Sequence, residues 1–167
     1  MGGLTSYSAG YTYSYSTLRG GLDPNMGMQL TFAQDYGWRD DGATYVETEA
    51  SFRARRTLWN DQVNVRAELQ AGALNFFGGD SLIVDRFSLS SKIRGFEPNG
   101  VGPRDRNSDD ALGGQWFYAT SAQLSFPLGL PEEYAIRGRV FTDVGAAWGL
   151  STKEVASDPI EDSANPR

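Results

Sequence analysis

The chain has 167 residues, 20 of them glycine and 13% aromatic, and its 21 acids against 15 bases leave a net charge of −6. That balance argues against a nucleic-acid partner, which needs a surplus of Lys and Arg on one face. The absence of Cys and His excludes thiol or imidazole catalysis, zinc sites built on those ligands, and disulfides. No apolar run reaches the roughly 18 residues that mark a membrane helix, and the start MGGLTSYS lacks the basic-then-apolar order of a signal peptide. Barrel strands alternate, so a mean hydropathy of −0.44 leaves a strand-built membrane protein open.

The first segment, TSYSAGYTYSYST, sets Tyr7, Ala9, Tyr11, Tyr13 and Tyr15 on one face against Ser6, Ser8, Gly10, Thr12, Ser14 and Ser16. After LRGGLDPNMG, which suits a turn, Met28, Leu30 and Phe32 alternate with Gln29, Thr31 and Ala33. Beyond the polar WRDDGAT, YVETEASFRARR puts Val46, Thr48, Ala50, Phe52 and Ala54 opposite Glu47, Glu49, Ser51, Arg53 and Arg55. WNDQ reads as a tight turn into VNVRAELQAGA, where Asn64, Arg66, Glu68 and Gln70 share the polar face. Past a long irregular stretch, QWFYATSAQLSFPLG aligns Trp116, Tyr118, Thr120, Ala122, Leu124 and Phe126 against Ser121, Gln123 and Ser125. Finally, AIRGRVFTDVGAAWG sets Ile136, Val140, Val144, Ala146 and Trp148 opposite Arg137, Arg139 and Asp143.

This pattern predicts about six strands, each near the ~9–11 residues that cross hydrocarbon when tilted. A soluble antiparallel sandwich has the same period. Three features favour a transmembrane β-barrel: long strands, aromatics at strand ends (Trp38, Trp59, Trp116, Trp148), and alternating short and long connections. Short turns are expected near 18–26, 58–62 and 127–134, and long loops near 36–44, 75–114 and from 150 onward. The apolar face then meets outer-membrane lipid, and the charges of the polar face pair across strands in a watered lumen. Six strands fall short of the roughly eight in the smallest single-chain barrels, so residues 1–167 are expected to be a partial barrel domain, with 150–167 a truncated external loop.

The long stretch holds KIRGFEPNGVGPRD, which has no hydrophobic period and several helix breakers. Together with DDALGGQWFYATSAQLSFPLGLP and FTDVG, it closely resembles the second half of the barrel in the BamA family of outer-membrane protein assembly factors, of the surface antigen superfamily. The resemblance covers most of the chain and implies an all-β, antiparallel barrel fragment whose long loop folds inward. It further implies that Arg94, Gly95 and Phe96 form the lumen-loop motif, with Asp143 as the wall carboxylate that meets Arg94. Gly102, Pro103, Arg104 and Asp105 form a second loop motif. Relatives commonly have a second carboxylate where this chain has Gln123, and a glycine pair where it has Ser90 and Ser91. The first departure predicts a weaker anchor, and the second puts the tight turn before Arg94 in doubt.

What the resemblance implies about function follows from the same match. The parent barrel inserts β-barrel proteins into the bacterial outer membrane. Its partners are lipids, unfolded β-barrel clients and, through periplasmic domains outside this chain, accessory lipoproteins. The alternative is the pore of a two-partner secretion or TamA-like transporter, whose relatives share the arginine-glycine-aromatic loop. No enzyme, cofactor or metal is expected: Asp109 with Asp110 and Glu132 with Glu133 read as solvated pairs. Asp105, Asn107, Asp109 and Asp110 lack the order and closing glutamate of a calcium loop.

Overall fold

The computed structural model describes residues 4–18, 26–59, 62–98, 100–105, 108–129, 134 and 136–150. Strands β1 (Ser6–Ser16), β2 (Met26–Arg39), β3 (Thr44–Leu58), β4 (Val63–Gly78), β5 (Trp116–Pro127) and β6 (Arg137–Trp148) form one antiparallel sheet in chain order. A 3-10 turn, Ile83–Asp85, lies in the long loop. No helix among the described residues is long and apolar enough to cross a membrane, which says nothing of crossing by strands.

The strands run from 11 to 16 residues, and β2, β3 and β4 are longer than the alternating segments predicted for them. Strand β2 continues to Arg39 and β4 to Gly78, so the loop expected at 36–44 shrinks to 40–43, and the one expected at 75–114 spans 79–115. The reason is that alternation persists through residues that look like loop formers. Tyr36 and Trp38 stay on the apolar face, and Phe76 packs its ring 5.3 Å from that of Tyr45 on the other. A register irregularity between Thr44 and Tyr45 lets the extended β4 stay paired. The expected turn at 18–26 falls mostly, and the tail beyond 150 wholly, outside the described residues.

Parity divides the sheet as predicted into an apolar and a polar face, but the polar side chains pair differently from expectation. Arg53 meets Glu68 across β3 and β4 at 2.8 Å. Elsewhere the register sets like against like, Asp35 beside Glu47 and Arg55 beside Arg66. Such neighbours repel, and water screens the repulsion.

Burial is the reverse of a sandwich. Tyr7, Tyr11, Leu30, Leu69, Val140 and Val144 on the apolar face are exposed, whereas the loop folds onto the polar face and makes the core there. That core joins Leu74, Phe117, Ala119 and Ala147 of the strands to Phe87, Leu89 and Ile93 of the loop, with Phe96 and Val101 packed against it. Gly72 makes room for it: a Cβ there would lie 2.4 Å from the Phe117 ring. At the loop end of the sheet, Trp38 stacks on Tyr7 at 5.9 Å and Trp148 meets Trp116 at 6.2 Å, while Trp59 stands in the opposite turn. Aromatic rings thus mark both ends of the strands, as at the two interfaces of a spanning barrel.

Candidate functional site

The inward loop is led to its site by local chemistry. Phe87 and Gly114 exchange two backbone hydrogen bonds, of 2.9 and 3.0 Å, that close the base of the loop. The chain then turns, the Lys92 N–H donating to the Leu89 carbonyl at 2.9 Å, and the Ser90 N–H donates to the Ser88 hydroxyl at 3.3 Å. The doubt raised by Ser90 and Ser91 is resolved, because this turn needs no left-handed residue at either serine. Ile93 drops into the core and Arg94 follows on the polar side. Gly95 has φ +87° with open space around its missing Cβ, so its backbone and not crowding calls for glycine. Phe96 then returns half-buried to the core.

Arg94 is held as a fork. Its Nε donates to Asp143 Oδ2 at 2.7 Å and its Nη2 to Oδ1 at 2.8 Å, while its backbone N–H reaches Oδ2 at 2.9 Å. Nη1 donates to Gln123 Oε1 at 3.0 Å and Nη2 to Ser121 Oγ at 2.8 Å. The guanidinium carbon sits 4.0 Å from the centre of the Phe141 ring. Register explains the convergence: Ser121 opposes Asp143 and Gln123 opposes Phe141 across β5 and β6, so two adjacent rows supply every partner. The Asp143 side chain is only 3% exposed whereas that of Arg94 is 43% exposed. Hydrogen bonding to Asp143 moves Arg94 still further above the ordinary arginine range, so it stays a cation.

The structure brings Arg94, Asp143 and Gln123 together and adds two partners the sequence reading passed over. Parity sets Ser121 on the polar face with Gln123, which is the signal the sequence carries for it; that it stands opposite Asp143 is set by register. Phe141 shares the same parity but was overlooked as an aromatic on a polar face. Ser121 also offsets the amide at Gln123 by giving the guanidinium a further acceptor. Gln123→Glu should add a charge-assisted bond to Arg94, with Arg66 opposite on β4. Raised stability of about 1 kcal/mol in urea denaturation is the expected result.

Further clasps hold the loop. Lys92 Nζ lies 3.3 Å from Gln70 Oε1 and 4.7 Å from the centre of the Phe117 ring. A polar cavity of about 200 Å³ lies between the clamp and Arg66, Glu68 and Lys92. At the loop base, buried Arg39 bonds Asp85 at 2.8 Å, Asp41 at 2.9 Å and the Asp80 carbonyl at 2.9 Å. Buried Arg86 bonds the Ser81 hydroxyl at 3.0 Å and the Leu112 carbonyl at 3.3 Å. Asp41 is held below the usual carboxylate range by Arg39, so its stabilising bond is present at neutral pH and fades only as acid protonates it. Apart from the local bonds of Arg39 to Asp41 and Arg86 to Ser81, these contacts join distant segments that no spacing in the sequence announces.

Gly102, Pro103, Arg104 and Asp105 do not join the clamp. Gly102 has φ +124° and Pro103 is fully buried, and the following residues form a small hairpin. Leu112 N–H donates to the Pro103 carbonyl at 2.9 Å, and Arg104 Nη1 to the Asp109 carbonyl at 2.7 Å. The Asp105 carboxylate accepts from the Ser108 N–H at 3.2 Å. Asn107, Glu132 and Glu133 lie outside the described residues.

A sheet apolar and bare on one side, polar on the other, with a loop drawn across the polar side by an arginine, defines a segment of a transmembrane β-barrel wall. The chain belongs to the Omp85 superfamily, whose domain matches residues 3–165. It is 26% identical over 155 residues to the outer membrane protein assembly factor BamA of Neorickettsia risticii, a match covering 90% of this chain and 20% of that protein. It is 30% identical over 129 residues to a SAM50-like protein of Schizosaccharomyces pombe, covering 72% of this chain and 26% of that one. The chain therefore spans about a quarter or less of the length of these curated relatives. Family and fold together make it a β-barrel segment of the Omp85 superfamily.

Proposed function

We propose that this chain is part of the barrel of a factor that folds and inserts β-barrel proteins into a bacterial outer membrane, and that the loop clamp braces the barrel wall while clients insert elsewhere. The observation that carries the reading is the fork of Arg94 on Asp143, which, with the apolar core beside it, ties the loop to strands β4 to β6. A tied loop keeps neighbouring strands in fixed register even where another edge of the barrel opens. The outward face meets lipid, unfolded β-barrel proteins are the clients, and accessory lipoproteins act through domains outside this chain. The role needs no catalytic group or cofactor: the acids of the clamp and hairpin hold structure.

Complementation tests it. In cells depleted of their own assembly factor, the full-length gene carrying this chain should restore the levels of several unrelated outer-membrane barrels. Unchanged barrel levels alongside restored export of one large secreted protein would favour the secretion-pore reading instead.

A further inference from the structure

Across all six strands, the residues of the outward face are aromatic, aliphatic, thioether, hydroxyl, amide or glycine, with one exception. Arg56 is the single charged residue there. It lies near the end of β3 on the short-turn side, three residues before Trp59, which is 73% exposed. Arg56 is itself exposed, and its side chain makes no hydrogen bond or ion pair with any described residue.

A groove of about 370 Å³ opens beside it. Register explains its shape. Arg56 stands between Met26 and Val65, and the next outward row is Met28, Ala54 and Ala67, whose two alanines leave the floor low. The row beyond that, Leu30, Phe52 and Leu69, is bulky and ends the groove on the side toward the middle of the strands.

A guanidinium on a lipid-facing surface costs roughly 2–4 kcal/mol at the bilayer midplane and about 0–1 near the interface. Arg56 is therefore tolerated at the short-turn end, where the headgroups of that leaflet lie. Its planar fork matches a phosphodiester, and the apolar groove running from it toward mid-strand matches an acyl chain. We infer that Arg56 and this groove form a binding site for an anionic phospholipid, with the phosphate on Arg56 and one acyl chain over Ala54 and Ala67. The inference rests on the membrane-barrel reading above, from which it takes the outward direction and the interface.

Native mass spectrometry of the detergent-solubilised full-length protein, titrated with phosphatidylglycerol, tests the site. The expected result is a retained lipid, preferred over phosphatidylcholine, whose affinity falls about tenfold in Arg56→Gln. Ala67→Phe, which fills the groove and leaves Arg56 intact, should also weaken retention. Equal retention by wild type and both variants would overturn the site. A dimer in the same spectra that Arg56→Gln dissociates would assign the face to a second copy and overturn it too. Tryptophan quenching by brominated lipids in nanodiscs separates the two levels. Quenching with unchanged retention removes only the lipid site, whereas absence of quenching removes the membrane reading along with it.

Discussion

Arg94→Ala should destabilise the barrel by about 2 kcal/mol and release the inward loop to protease. Removing one partner of a buried ion pair costs about 3–5 kcal/mol, because the remaining charge stays buried without its counter-ion. Here the burial is one-sided: the Asp143 side chain is 3% exposed but that of Arg94 is 43% exposed, so solvent screens part of the interaction and the lower figure applies. Four side-chain hydrogen bonds disappear, and the backbone N–H of residue 94 and the Ser121 hydroxyl remain placed to serve the carboxylate. Arg94→Lys should recover part of the loss, since an ammonium supplies charge without the fork. A double-mutant cycle with Asp143→Asn should return a coupling energy above about 1 kcal/mol. Unchanged heat-modifiability on gels, with an unchanged urea midpoint and cleavage rate for residues 79–115, would remove the clamp from the account.

Phe87→Ala should cost more, about 3–4 kcal/mol, and it acts on the same loop from the apolar side. Buried Phe87 packs its ring 4.7 Å from that of Phe117, at the centre of the core between loop and sheet. Truncating a core phenylalanine removes about 3–5 kcal/mol of packing, less where neighbours can collapse into the gap. Gly72→Val should undock the loop by the opposite route, because its Cβ would lie 2.4 Å from the Phe117 ring and 3.0 Å from Phe87 Cζ. In both variants the strand ladders persist, so the expected signature is protease cleavage within 79–115 with circular dichroism of the sheet retained. If Phe87→Ala leaves the loop as resistant as wild type, the core contributes nothing to docking and the polar clasps alone hold it.

The two effects bear on function together. The clamp alone would leave a loop tethered at one point, and the core alone would leave a buried carboxylate on the wall without its cation. Each holds the loop in the place the other needs. A wall braced in this way is what the proposed role asks of strands that must stay put while the membrane around them is remodelled.

Much of this is legible in the sequence. Period-two alternation assigned the two faces residue by residue, because successive side chains in a strand point opposite ways whatever else the chain does. The same parity put Asp143 and Gln123 on the face that receives Arg94. Element ends were read less well: Tyr36, Trp38, Phe76 and Phe77 lie beside glycines and polar residues that suggest loops, yet their strands continue there because neighbouring strands supply partners. The expected pairing of charges across strands holds for Arg53 with Glu68 and fails elsewhere. Parity says which face a charge occupies, but only register says that Arg55 meets Arg66 and that Asp35 meets Glu47.

What the sequence alone determined, then, is a sheet with one apolar and one polar face, and a loop of prolines and glycines that can join neither. Those outcomes follow from local stereochemistry and the alternation of side-chain chemistry along a strand. Tertiary structure decided the rest: that Ser121 and Phe141 complete the hold on Arg94, that Arg39 reaches Asp85, that the core lies under the loop, and that Arg56 heads an open groove. Each of these depends on which residues of distant segments come to stand opposite one another, and that is set by strand register and loop docking, not by the order of residues within any one segment.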